Sequence, residues 1–140
     1  MTALGDFTSG DVLTAADLNA IGTWSDWTAN FRSQTGTYTS ADTQYARYTK
    51  INDIVIASAF FRILNNTGGT DSAEFDLPVT AATRYLNGHN IGVGRENAVN
   101  GNTVNVFTFT TTEGHIRFYD NGDPSAANYQ FIITFVYEAA

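Results

Sequence analysis

Apolar and polar residues alternate through most of the chain after residue 23, and turn signals interrupt them about every ten residues. Alternation with a period of two is typical of strands, because successive side chains point to opposite faces of a sheet. The abundant threonine and aromatic residues also favour strands. The pattern predicts eight strands, at residues 27–32, 44–51, 54–64, 74–79, 90–96, 104–112, 115–120 and 129–138.

Turn residues between the predicted strands indicate how the strands connect. Asn52 and Asp53 predict a tight two-residue hairpin, and residues 65–69 predict a looser one. Glycines that follow asparagine or glutamate predict further turns at 87–88, 100–101, 113–114 and 121–122. Short strands joined in this way indicate an all-β fold, which we expect to be an antiparallel, jelly-roll-like β-sandwich.

One short segment before the strands has the pattern of a helix. Thr14 is a candidate N-cap, with Asp17 three residues later near the spacing of a capping box. Leu18 and Ile21 share one helical face, and Gly22 is a candidate C-cap. About two turns of helix are too short to be stable alone, so the helix must pack on another surface. We therefore divide the chain into an N-terminal lead (residues 1–23) and a β-sandwich domain (residues 24–140).

Two predicted strands are apolar on both faces. In the strand at 54–64, one face carries only apolar side chains, and the other is also mainly apolar except at Ser58 and Arg62. The strand at 129–138 shows the same feature, with Ile132 and Val136 opposite its aromatic face. A sandwich strand normally has one core face and one solvated face, so the second apolar face needs a cover. A loop or the N-terminal lead is one candidate, and an interface between subunits is the one that we favour.

Composition excludes several classes of partner and chemistry. The chain of 140 residues has a formal net charge of −7, which disfavours binding to nucleic acid or to an anionic membrane surface. It contains no cysteine, which excludes disulfides, thiol catalysis and thiolate metal sites. No apolar run approaches the about 20 residues of a membrane span, and we expect no secretory signal at the N-terminus.

Residue patterns for catalysis or metal binding are weak in this sequence. His89 and His115 are far apart and lack the spacing of a metal motif, so we expect no metal site and no cofactor. We interpret Glu74, Asp76 and Glu113 as solvated strand and turn residues without a catalytic role. The turn from Asp120 to Asp123 contains two carboxylates but lacks the spacing of a calcium loop, and we interpret it as a plain acidic turn. We therefore expect no enzymatic activity.

Exposed aromatic side chains beside polar ones can bind sugars, because a ring stacks on a pyranose face while polar groups bond to hydroxyls. The best cluster of this kind in the sequence consists of Arg117, Tyr119, Asp120 and Asn121. Arg117 and Tyr119 alternate along one predicted strand and therefore share a face. These four residues are our candidates for glycan contact.

Four segments occur in order along the chain: FTSGDVLTAADLN (7–19), ARYTKINDIVI (46–56), FDLPV (75–79) and ITFVYEAA (133–140). In this order they resemble parts of tailed-bacteriophage fibre and minor tail proteins. Trp24 and Trp27 follow the first segment, as tryptophans do in that family. The chain departs from the family pattern at Asp53, which replaces a hairpin glycine, and at Val136, which replaces a glycine before the final tyrosine. A collagen-like or coiled-coil shaft, common in such proteins, is missing.

The resemblance implies a virion structural protein, usually a homotrimer, whose N-terminal lead attaches to other virion proteins while the sandwich faces outward. The anchor would be formed by Phe7, Leu13, Leu18 and Ile21. Because the shaft is missing, the protein would be a short fibre, a knob or a head or tail decoration that adheres to host-surface glycans. The alternatives are a free carbohydrate-binding module, expected to be a monomer, and a small glycan depolymerase, which would need two carboxylates about 5–9.5 Å apart in a cleft.

Overall fold

The computed structural model describes residues 14–15 and 21–140. In this part of the chain the elements are β1 (Ser25–Asp26), β2 (Arg32–Thr35), β3 (Ser40–Ile51), β4 (Ile54–Asn65), β5 (Thr70–Asp76), a 3-10 turn (Thr83–Tyr85), β6 (His89–Glu96), β7 (Thr103–Thr108), β8 (Glu113–Phe118) and β9 (Gln130–Glu138). The paired strands are all antiparallel. The prediction of an all-β antiparallel fold is therefore confirmed.

The strands form a single curled sheet in the order β1-β3-β4-β9-β6-β7-β8-β5-β2. Phe75 of β5 lies four places from β9 in this order, yet its ring centroid is 5.3 Å from that of Phe135. It also lies 5.2 Å from the ring of Phe61 on β4. The sheet thus folds over itself, and the two halves enclose one core in a manner consistent with a β-sandwich.

Residues 27–31 connect the two edges of the curled sheet. The strand predicted at 27–32 is not formed there, because β2 begins only at Arg32. The Trp27 amide donates to Ala46 on one edge, and the Ala29 carbonyl accepts from Asp76 at 2.6 Å on the other. Phe31 stacks on Phe61 with centroids 4.6 Å apart. Ala29 is buried, and Trp27 and Phe31 are partly buried against the core, because this segment closes the open side of the core. The segment does not form a continuous ladder with either edge.

Turn residues were predicted with mixed success. Asn52 adopts a positive φ of 53° in the hairpin between β3 and β4, as the sequence predicted. Glu113 and Gly114 are not a turn, because they begin β8 and pair with β5. Gly114 lies under the Phe75 ring, where a Cβ atom would overlap the aromatic carbons. This glycine therefore serves close packing of the ring against the strand, and the turn lies earlier, between Thr108 and Glu113.

The predicted N-terminal helix at 14–22 lies largely outside the described residues. At its C-terminal end, Ile21 and Gly22 form a turn, and Gly22 has a positive φ of 72°. No α-helix is seen between residues 21 and 140, where the helical element is the 3-10 turn.

The inner faces of β4 and β9 form the centre of the core. Their inward side chains are buried at every second position, as the alternation predicted. Tyr137 carries a polar group into this core, and its hydroxyl donates to the Val79 carbonyl at 2.7 Å. The buried side chains are Val55, Ala57, Ala59, Phe61 and Ile63 on β4, and Phe131, Ile133, Phe135 and Tyr137 on β9.

Candidate functional site

The outer side of the β3-β4-β9-β6 half of the sheet carries an exposed group of apolar side chains, which we call the apolar face. Phe60 of β4 lies directly opposite Ile132 of β9, and Ile56 lies opposite Val136. Ile132 is 38% exposed and Val136 is 46% exposed. The apolar face comprises Tyr45 on β3, Ile54, Ile56, Phe60 and Leu64 on β4, Val93 on β6, and Ile132 and Val136 on β9.

Charged side chains near the apolar face are largely paired with each other. Arg62 donates from Nε to Asp42 at 2.9 Å, and Arg47 donates to Asp26 at 3.1 Å. Side chains of Ser58 and Thr134, which lie opposite each other between the apolar pairs, are neutral. Arg95 of β6 lies opposite Ile132, is exposed and has no ion-pair partner among the described residues. Apart from this cation, the face combines exposed apolar area with paired charges, which is the composition of a contact surface.

The outer side of the β7-β8-β5-β2 half carries mainly polar side chains. A row of four outward side chains crosses these strands, and we call it the polar row. Sheet register places Phe107, His115, Glu74 and Arg32 side by side on four neighbouring strands. Asp76 and Glu113 form the next opposite pair. Because side chains alternate along each strand, these residues all point to the outer face.

Arg32 brings three carboxylates together, and we call Glu74, Asp76 and Glu113 the acidic cluster. The guanidinium contacts Asp76 Oδ1 at 2.7 Å, Glu113 Oε1 at 3.0 Å and also Glu74 Oε1. Burial raises the pKa of Glu74 above its ordinary value, although Arg32 acts in the opposite direction. The interpretation as a solvated residue is wrong for Glu74, whose side chain is mostly buried, whereas the side chains of Asp76 and Glu113 are about one third exposed.

His115 lies beside the acidic cluster and is only 3% exposed. Its ring stacks on Phe107 with centroids 5.6 Å apart and meets the edge of Phe109 at 5.1 Å. Its Nε2 atom is 3.8 Å from Glu74 Oε2, and neither ring nitrogen has a hydrogen-bond partner in the described part of the chain. Burial lowers the pKa of His115 to about 4, so its imidazole is neutral at pH 7.

The residues predicted to contact glycan are divided between a strand and a turn. Arg117 is held by Asp71 at 2.8 Å and by the Ser72 hydroxyl at 2.5 Å, and its guanidinium lies over the ring of Phe107. Tyr119 comes directly after the last residue of β8, in the turn, and is 64% exposed.

The turn after β8 begins at Tyr119 and also contains Asp120 and Asn121, so that three of the four residues predicted for glycan contact lie in it. The Asp120 carboxylate accepts from the Gly122 amide at 2.9 Å, and Asn121 adopts a positive φ of 64°. Asp123 accepts from the Ser125 amide at 2.8 Å. Both carboxylates of this turn are therefore engaged in capping backbone amides.

Of the predicted anchor residues, Phe7, Leu13 and Leu18 lie outside the described residues. Ile21 is described, and its side chain is exposed in the turn before β1.

Glu96 is a buried carboxylate that the sequence did not single out. Its two oxygens accept from five backbone amides, those of Ala98, Val99, Asn100, Gly101 and Gln130. Burial would raise the pKa of Glu96, but the bonds from the amides outweigh burial and hold the pKa below its ordinary value. The carboxylate thus fixes the loop between β6 and β7 and attaches it to β9.

Comparisons with family models, curated proteins and solved structures found nothing that matches this chain. Among the described residues, no helix has the length and apolar character needed to span a membrane.

Proposed function

We propose that this chain is a structural protein of a tailed-phage particle: a short trimeric fibre, a knob or a head or tail decoration. Its β-sandwich would associate with copies of itself, and its N-terminal lead would attach to other virion proteins. The observation that carries the proposal is the apolar face, with Phe60 and Ile132 paired at its centre. The assignment to a phage particle is supported by the four sequence segments that resemble, in the same order along the chain, parts of fibre and minor tail proteins.

A second copy of the chain is the occupant that fits this face best. Each copy has a formal net charge of −7, so two copies repel each other except where they meet through an uncharged surface. The apolar face is close to such a surface, since Arg47 and Arg62 are paired with Asp26 and Asp42. The charge of Arg95, opposite Ile132, is positive and does not add to the repulsion between two acidic copies. Three copies can bury this face around a common axis, which removes its exposed isoleucine, valine and phenylalanine side chains from water.

The oligomeric state of the full chain tests the association. Size-exclusion chromatography with light scattering should give a trimer at micromolar concentration. The trimer should persist at high salt, because apolar contacts are not screened as charge pairs are. A monomer at this concentration would overturn the proposal.

Attachment to the particle is tested separately by deleting residues 1–23. The truncated chain should keep the β-sheet signal of circular dichroism and fail to incorporate into particles. Incorporation at the level of the full chain would contradict the role of the lead.

A free carbohydrate-binding module is the second candidate, and the exposed ring of Tyr119 favours it. This ring provides a stacking surface, and the polar residues Arg117, Asp120 and Asn121 lie within two positions of it in the chain. This function predicts a monomer that binds an immobilised glycan and loses binding when Tyr119 is replaced by Ala. A trimer without any glycan binding would leave only the structural function.

A further inference from the structure

The buried imidazole of His115 has no hydrogen-bond partner among the described residues and lies against the acidic cluster. Buried polar groups in folded proteins are nearly always satisfied, and an exception often marks a bound water or ion. We propose that Glu74, Glu113 and His115 form a binding site for one divalent cation of the zinc type, which joins β5 to β8.

The ligand atoms are close enough for a single ion. One ligand atom from each of the three residues lies within 4.8 Å of the other two. Zinc bonds to nitrogen and oxygen are about 2.0–2.2 Å long, so ligands around a tetrahedral ion are about 3.3–3.6 Å apart. His115 Nε2 and Glu74 Oε2 are 3.8 Å apart, close to this spacing, and a rotation of the partly exposed Glu113 side chain can bring its oxygen to the same distance from them.

Arg32 leaves the side facing His115 available. Its guanidinium contacts the Oε1 atoms of Glu74 and Glu113, whereas the Oε2 atom of Glu74 is the one near His115. The other oxygen of Glu113, Oε2, accepts from the Thr110 hydroxyl at 3.0 Å. Carboxylate oxygens have further lone pairs, so they can accept from Arg32 and Thr110 and still bind an ion. Arg32 thus holds the two carboxylates together beside the imidazole.

The charge of the cluster favours a divalent cation. Three carboxylates contact one guanidinium, which leaves an excess of two negative charges when the acids are ionised. One divalent ion neutralises this excess. The His115 imidazole, packed against the rings of Phe107 and Phe109, supplies the nitrogen ligand beside these oxygens.

The ligand set selects the type of ion. One imidazole nitrogen with two carboxylates suits zinc and neighbouring transition metals, whereas calcium and magnesium prefer oxygen ligands alone. The Glu113 side chain is about one third exposed, so the fourth position of the ion faces solvent and can hold a water molecule. The buried side is formed by His115 and Glu74.

The test is calorimetric titration of the full chain, without an affinity tag and stripped with chelator, using zinc chloride at neutral pH. We expect one ion per chain and an increase in Tm of several degrees at saturation, because the ion binds the folded state. Cobalt(II) in place of zinc should give visible absorption bands of a site with a nitrogen ligand. Calcium should not displace either metal.

Three variants make the test specific. His115→Phe should abolish binding, and Glu113→Gln should weaken it by about tenfold or more, since that residue is partly exposed and its replacement preserves the fold. His89→Gln removes the other histidine, which is exposed on β6, and should bind as the wild type does. The proposal is overturned if the wild type shows no saturable binding, if His115→Phe or Glu113→Gln retains wild-type affinity, or if calcium binds more tightly than zinc.

Discussion

Phe60 of β4 and Ile132 of β9 lie directly opposite each other on the outer side of the sheet, and Tyr45 meets Phe60 edge-on at 6.1 Å. Directly opposite side chains on one face of an antiparallel pair are in contact. These three residues therefore form a continuous apolar row across β3, β4 and β9. In a single copy the row is partly exposed to water, and it is the feature that our functional proposal would bury.

The first prediction concerns a charge placed in this row. Ile132→Lys should convert the trimer to a monomer and weaken association by about 100-fold, because the interface would then bury an unpaired charge. Val99→Lys is the matched control: Val99 is 59% exposed in the loop after β6, and the substitution changes the net charge by the same amount. Analytical ultracentrifugation of both variants measures the effect. Equal dissociation of the two variants would show that net charge, and not the apolar face, controls assembly.

The long strands were predictable because their patterns are local. β4 and β9 have inward residues at every second position, and the Asn52 turn between β3 and β4 has the expected positive φ. Trp27, Ala29 and Phe31 show the same alternation, yet they close the core between two sheet edges. Alternation in the sequence predicts that every second side chain is buried. It does not distinguish a strand paired along its length from a segment that forms backbone hydrogen bonds first to one sheet edge and then to the other.

The polar row could not be predicted, because register across strands brings it together. About 40 residues of sequence separate Arg32 from Glu74, and about 40 more separate Glu74 from His115. The three residues are neighbours in space because they occupy opposite positions on the adjacent strands β2, β5 and β8. The sequence shows which residues lie on the outer face of each strand. It does not show which strands are neighbours, since β5 pairs with β8 and β2 and not with β4 or β6.

The second prediction concerns Glu96, whose carboxylate accepts from five backbone amides. Glu96→Gln should lower the free energy of unfolding by about 3 kcal/mol, because an amide NH₂ group would face amide donors in place of an acceptor. Glu138→Gln is the matched control, since Glu138 pairs with the exposed side chain of Arg84 and should contribute less than about 1 kcal/mol. Urea unfolding measures both. A loss in Glu96→Gln no larger than in the control would contradict the structural role.

The third prediction is the pH dependence that follows from the lowered pKa of Glu96. The unfolded chain takes up a proton at a higher pH than the folded one, so the stabilisation is complete above the unfolded pKa and is lost as pH falls through the folded pKa. Between about pH 6 and about pH 3, the wild type should therefore lose more stability than Glu96→Gln. Urea unfolding of both proteins at a series of pH values measures this difference. Parallel curves would show that Glu96 does not titrate differently in the two states.

The last prediction concerns the stability cost of His115 in the absence of metal. The imidazole lies between the rings of Phe107 and Phe109, and its two nitrogens have no hydrogen-bond partner in the described part of the chain. In buffer with chelator, His115→Phe should raise the free energy of unfolding by about 1 kcal/mol, because the new ring fills the same space without unsatisfied polar atoms. Phe107→Leu, which removes one of the flanking rings, should instead lower the free energy of unfolding.

Zinc at saturation should reverse the order of stability of the wild type and His115→Phe, since the wild type alone gains binding free energy. Thermal unfolding in chelator and in zinc measures both differences. If His115→Phe is less stable than the wild type in chelator, the packing of the imidazole contributes more to stability than its two unsatisfied nitrogens cost.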